Sequence, residues 1–221
     1  KQYQDKEMID LHTHTTFSDG ELIPSELGRR AVVKGYKAIA ITDHADFTNI
    51  EFILSWVKHV KSLEEDYDIR ILTGVELTHI PPAKLPELVK KARKLGAEII
   101  VVHGETTVEP VPEGTNHMAV QLDIDILAHP GLITIEDGIL ARENGICLEL
   151  TSRCGHNRTN GHVARIAKET GANLTVDTDS HAPGDLISDE VAFQIAIGAG
   201  LNEKEAHHAT VTQPLNLIKT I

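Results

Sequence analysis

Seven short, β-branched apolar runs recur along this chain, each followed by a stretch with helical patterning, and such regular alternation leaves few folds open. The runs are Ile9–His12, Lys37–Thr42, Ile69–Glu76, Glu98–His103, Ile124–His129, Ile146–Leu150 and Asn173–Asp177. Between and after them the spacing predicts helices at about 24–34, 48–65, 84–95, 116–122, 134–143, 161–170 and 186–199. Gly35, Gly96, Gly145 and Gly171 stand where four of these helices should stop. Strand-helix repetition requires a parallel sheet covered by helices, because each crossover must pack back on the sheet. The chain has neither the GxGxxG of a dinucleotide site nor a GxxxxGK[ST] phosphate loop. A closed or nearly closed (βα) barrel is therefore preferred to a doubly wound sheet. No Ser/Gly linker or composition shift divides the 221 residues, so 8–221 are read as a single domain, with 1–7 as an N-terminal tail.

Composition narrows the partners. With 21 Lys and Arg against 33 Asp and Glu, the formal charge of -12 disfavours binding to extended nucleic acid. No run approaches the roughly 18 apolar residues of a membrane span, and the start lacks the layout of a secretory signal, so a cytoplasmic protein is expected. Cys147 and Cys154 form neither a disulfide framework nor a thiolate metal motif. Histidine is the anomaly. Thirteen imidazoles against eight Phe, Tyr and Trp exceed what core packing explains, and imidazole is the commonest metal ligand.

The carboxyl ends of barrel strands collect active-site groups. Here every end carries a ligand-type residue: His12 and His14, Asp43 and His44, Glu76, His103, His129, Glu149, then Asp179 and His181. Residues two apart on a strand share a face, so His12 with His14, and Asp179 with His181, are each expected to converge. Imidazoles falling on the ends of successive runs point to a metal cluster rather than to unrelated core histidines.

The segments IDLHTHTTFSDG, AITDHADF, LTGVEL, IVVHGE, DILAHP and VDTDSH follow, in order and spacing, the motifs of the PHP (polymerase and histidinol phosphatase) family. The resemblance runs through nearly the whole chain and implies a distorted seven-stranded TIM-like barrel with three divalent metal ions. It implies one ion on His12, His14, Glu76 and Asp179, and a second on Glu76, His103 and His129, with Glu76 bridging. The third would take Asp19, His44 and His181. Some members of the family have histidine where this chain has Asp19, and a carboxylate there makes manganese or iron candidates beside zinc.

Clustered cations suit phosphate-ester hydrolysis: they lower the pKa of a bridging water from 15.7 to about 7, align it for in-line attack on phosphorus, and neutralise charge on the equatorial oxygens. Arg153 and Arg158, in the loop after the sixth strand, are candidate phosphate-binding residues, and His156 and Asn160 candidate pocket residues. Glu149, outside the implied ligand set, is expected to support a ligand histidine or Arg153; Asp43 invites a similar reading beside His44. Glu105 is left as an acid, a supporting group or a solvated charge. His59, His79, His117, His156, His162, His207 and His208 fall outside the set and are read mostly as surface residues, Cys147 as core.

The leading expectation is a phosphomonoesterase of a small-molecule phosphate ester, resembling histidinol phosphatase. The alternative is a phosphodiesterase or exonuclease acting on nucleotide or oligonucleotide ends, against which stand the acidity and an aromatic fraction of 4%. A non-hydrolytic metal-stabilised module is disfavoured by the complete ligand set, and an amidohydrolase-type barrel by His103 where a bridging lysine is often found. GxSxG is absent, so a covalent serine mechanism has no support.

Overall fold

The computed structural model describes residues 8–221; the tail expected at 1–7 lies outside the described residues. Strands form at β1 (Ile9–Asp10), β2 (Ala38–Ile41), β3 (His44–Ala45), β4 (Arg70–Leu77), β5 (Ile99–His103), β6 (Ile126–Ala128), β7 (Cys147–Thr151) and β8 (Asn173–Asp177). All pairings are parallel, in the order β1-β2-β4-β5-β6-β7-β8. Because β3 resumes the path of β2 after a two-residue break, and both pair with β4, eight segments make the seven staves that the sequence predicts. The barrel is nearly closed. Its seam is a Thr13–Ser180 bridge with His14 N–H donating to the Ser180 carbonyl (2.8 Å), reinforced where Asp177 Oδ1 accepts from the Leu11 amide (2.7 Å).

Strand parity explains why apolar strands end in ligand-type residues. Alternate side chains enter the barrel, as in Leu72-Gly74-Glu76, Ile99-Val101-His103 and Cys147-Glu149-Thr151, while the residues between them pack outward against the helices. The lower interior is thus an apolar plug of Ile9, Leu11, Ala38, Ala40, Leu72, Ile99, Val101, Ile126, Ala128 and Cys147. Polar side chains occupy the upper interior, at the carboxyl ends.

The helices are α1 (Pro24–Val33), α2 (Ile50–Val57), α3 (Glu64–Tyr67), α4 (Leu85–Lys94), α5 (Thr115–Ala119), α6 (Ile135–Glu143), α7 (Asn160–Thr170), α8 (Asp189–Gly198), α9 (Glu203–His207) and α10 (Gln213–Lys219). The helix expected over 48–65 is interrupted by a 3-10 stretch at Lys58–Leu63. Three residues per turn align Val57, Val60 and Leu63 on one edge, and all three pack on the outer core. The C-terminal α10 closes the barrel floor: Leu217 and Ile218 join the apolar plug, and Arg70 donates to the Ile218 carbonyl (2.7 Å). Among the described residues no helix is long and apolar enough to cross a membrane.

Candidate metal centre

All nine residues of the implied ligand set meet at the upper mouth of the barrel. Ligand-type atoms of His12, His14, Glu76 and Asp179 lie within 4.8 Å of one another, as do those of Glu76, His103 and His129. A third such group holds Asp19, His44 and His181, joined by His14. Glu76 is common to the first two: Oε2 lies 3.2 Å from His12 Nε2 and 3.3 Å from His14 Nε2, and Oε1 lies 3.5 Å from His129 Nε2. The register pairs His44 with Glu76, placing His44 Nδ1 2.9 Å from Oε2. Asp19 Oδ1 lies 3.0 Å from His181 Nε2, and Oδ2 3.5 Å from His44 Nε2.

The convergence of His12 with His14 follows strand alternation across Thr13, which bridges Ser180, whereas that of Asp179 with His181 does not, because β8 ends at Asp177. Backbone conformation substitutes for it: Asp179 (φ 51°) and His129 (φ 27°) sit in left-handed conformations. For residues other than glycine this costs on the order of 1–3 kcal/mol and is retained where the surroundings impose it, often at functional sites.

These residues fit a cation cluster. Glu76 is fully buried, yet neither of its oxygens has a hydrogen bond, and His14 Nδ1, His129 Nδ1 and Asp179 Oδ1 are likewise buried without one. Two imidazole nitrogens, His12 Nε2 and His14 Nε2, face each other at 3.1 Å. Burial, with adjacent imidazoles such as His44 for His14 and His103 for His129, holds both rings well below the ordinary histidine range. They stay neutral, with lone pairs free to bind metal. Burial opposes the charge of Glu76, but His12, His44 and His103 outweigh it and hold the carboxyl well below its usual range. Burial pushes Asp179 up to about 6 and Glu149 up to about 7.

Supporting groups fix the rings. Glu149 lies against a ligand histidine, the first of its two expected partners: Oε2 is 2.5 Å from His12 Nδ1, and Oε1 accepts from the His129 amide at 3.3 Å. His12 therefore presents Nε2 to the cluster. His103 Nδ1 lies 3.1 Å from the Gly104 carbonyl, and His44 Nδ1 2.6 Å from Thr78 Oγ1.

Other expectations change. Asp43 does not orient His44; it accepts from the Thr15 amide (2.7 Å), Thr15 Oγ1 (2.7 Å) and Ser18 Oγ (2.6 Å), pinning the loop that carries Asp19. Glu105 exchanges hydrogen bonds with Asn116 at the start of α5, and Asn160 clasps the backbone of Thr151, so both are occupied by structure. Arg153 stands beside the cluster, with Nε 3.5 Å from Asp179 Oδ2 and Nη1 3.6 Å from Asp185 Oδ2. Arg158 is exposed on a 3-10 turn (His156–Thr159) and is not drawn into these contacts. His156, a candidate pocket residue, is buried at the border of the mouth, and exposed His79, read as a surface residue, also borders it, together with Glu109, which the sequence reading missed. The spacing of His79 three residues after Glu76 was an available signal; Glu109, inside a proline-bearing loop, offered none.

A family model described as PHP domain matches residues 10–118. The chain is 54% identical to "Uncharacterized protein MJ1295" of Methanocaldococcus jannaschii, over 96% of this chain and 99% of the relative. It is 31% identical to "Probable phosphatase TTE1963" of Caldanaerobacter subterraneus subsp. tengcongensis, with 79% and 76% covered. A chain in the cryo-EM structure of archaeal ribonuclease P with mature tRNA shares the fold, with a TM-score of 0.70 at 17% identity, over 96% of this chain and 90% of that one.

Proposed function

Since the chain belongs to the PHP domain family, we propose that it is a metal-dependent phosphomonoesterase of a small-molecule phosphate ester, with residues 8–221 serving as one catalytic unit. The observation that carries this reading is Glu76, a buried carboxylate without hydrogen bonds that spans two groups of ligand atoms. Three divalent ions would be held by His12, His14, Glu76 and Asp179; by Glu76, His103 and His129; and by Asp19, His44 and His181. Such ions supply Lewis acidity at phosphoryl oxygens and lower the pKa of water.

The chain's own side chains do the remaining work. Glu149 and the Gly104 backbone carbonyl hold Nδ1 of His12 and His103 and leave Nε2 to the cluster, and Thr78 holds Nδ1 of His44, leaving Nε2 to face Asp19. Arg153 offers guanidinium N–H donors to phosphate oxygens at the edge of the cluster. Glu109 and Asp185, outside that ligand set, add negative charge to the rim, which opposes the approach of a polyanion and supports a compact ester.

Replacing Glu149 with Ala is expected to weaken metal affinity or turnover about 10- to 100-fold, as losing a ligand's supporting partner generally does. Glu149→Gln, which keeps an acceptor for His12, should recover most of the loss. Metal titration with kcat on both variants checks this; an unchanged Glu149→Ala protein would remove the role.

A second reading, action on nucleotide or oligonucleotide ends, is favoured by one feature. Phe17 packs edge-on against Phe52 (ring centroids 5.7 Å), Phe52 and Trp56 are exposed one turn apart on α2, and Phe47 is exposed just before it. Exposed rings can stack bases. The fold shared with a chain of a tRNA-bound ribonuclease P also supports nucleic acid as a partner. A substrate panel on metal-reconstituted protein separates the two. Phosphate release from small monoesters without oligonucleotide cleavage is the expected result. The reverse pattern favours the second reading, and turnover that survives chelation contradicts both.

A further inference from the structure

We propose that His79, Glu109 and His156 form an additional divalent-cation site on the rim of the mouth, outside the nine residues assigned above. The Glu109 carboxylate lies between imidazole nitrogens, with Oε2 3.2 Å from His79 Nε2 and Oε1 3.4 Å from His156 Nε2. Donor atoms on a tetrahedron with metal bonds of roughly 2.0–2.2 Å lie about 3.3–3.6 Å apart, and the observed spacings are close to that edge. Oε2 also lies 3.0 Å from His103 Nε2, and His79, His103 and Glu109 form a group of ligand-type atoms within 4.8 Å of one another. His103 has only that nitrogen to offer, because Nδ1 faces the Gly104 carbonyl. The proposal rests on the inner-cluster reading in one respect, that His103 serves the inner ion and leaves the outer one to the other three.

Both outer imidazoles are held in place. His156 is buried, its Nδ1 lies 2.7 Å from Thr106 Oγ1, and its ring stacks on His129 (centroids 4.2 Å, planes 23° apart), so Nε2 faces Glu109. His79 takes a left-handed backbone conformation (φ 54°), uncommon for a residue with a side chain and associated with functional sites. Two imidazoles and one carboxylate suit a borderline cation such as zinc. With Glu109 38% exposed, coordination positions remain open toward solvent, as in metal sites that accept an exogenous ligand.

The test is the zinc content of the full chain after loading and dialysis, measured by native mass spectrometry. A His79→Asn/Glu109→Gln double variant should hold one equivalent fewer than the parent. Glu76→Gln should lose the two ions that Glu76 would share yet keep the rim equivalent beside that of Asp19, His44 and His181, and adding the double substitution should remove one equivalent more. Equal zinc in parent and double variant overturns the proposal, even while losses in Glu76→Gln leave the inner cluster standing. If only the double variant loses zinc, the inner-cluster reading fails and the rim site stands. Should the double variant fail to fold, as judged by its melting curve, His156→Gln removes a ligand from the other side and must show the same loss of one equivalent.

Discussion

Glu76→Gln is expected to abolish hydrolysis while leaving the barrel folded. The substitution keeps the shape of the side chain but removes the negative charge that two groups of ligand atoms share. In the parent, Oε2 faces His12, His14 and His44 and Oε1 faces His129, with no hydrogen bond competing for either oxygen. An amide presents one weak ligand oxygen and an NH2 aimed at imidazole nitrogens. The loss in kcat should exceed the roughly 10- to 100-fold that removal of a ligand's supporting partner costs, because a shared ligand is lost outright. The metal content should fall with it. Steady-state turnover and metal analysis on the same sample check this; a variant within threefold of the parent would show that Glu76 holds nothing the reaction needs.

Gly74→Ala is expected to be strongly destabilising. Gly74 enters the barrel two residues below Glu76 and pairs with Ile99 in the β4–β5 ladder. A Cβ there would lie 2.0 Å from the Ile99 carbonyl oxygen and 2.8 Å from its carbon, backbone atoms of a buried strand that has little room to retreat. Overpacking of this kind generally costs 1–3 kcal/mol, and a backbone collision at the centre of a sheet belongs at the upper end, about 3 kcal/mol or more. Displacement of β4 would also carry Glu76 with it. Chemical denaturation measures the effect; a midpoint equivalent to a change under about 0.5 kcal/mol would contradict this account of the strand pair.

Much of the barrel was legible because parallel strands buried on both faces write themselves as continuous apolar runs, and because the side chains that end such runs are conspicuous when they are His, Asp or Glu. Local backbone conformation was not legible. The turn of Asp179 and His129 into the left-handed region leaves no mark in a strand pattern, so two residues apart on a strand was the wrong reason for a correct grouping of Asp179 with His181. Long-range hydrogen bonding was equally hidden. Asp43 looked like a partner for the neighbouring His44, yet Thr15 and Ser18, some 25 or more residues away, claim its carboxylate. Glu109 belongs to a loop whose path across the mouth depends on contacts such as Thr106 with His156, fifty residues apart. The closing helix α10 was missed for a related reason: its apolar residues Leu217 and Ile218 pack inside the barrel floor, a site that strand-helix counting does not anticipate.

Crystals of the chain grown with manganese or zinc, with data collected at the absorption edge of the added metal, would test the central claim most directly. The account predicts separate anomalous peaks on both sides of the Glu76 carboxylate and another among Asp19, His44 and His181, each at bonding distance from the named nitrogens and oxygens. A well-ordered map with no peak at the mouth of the barrel, despite saturating metal, would contradict it.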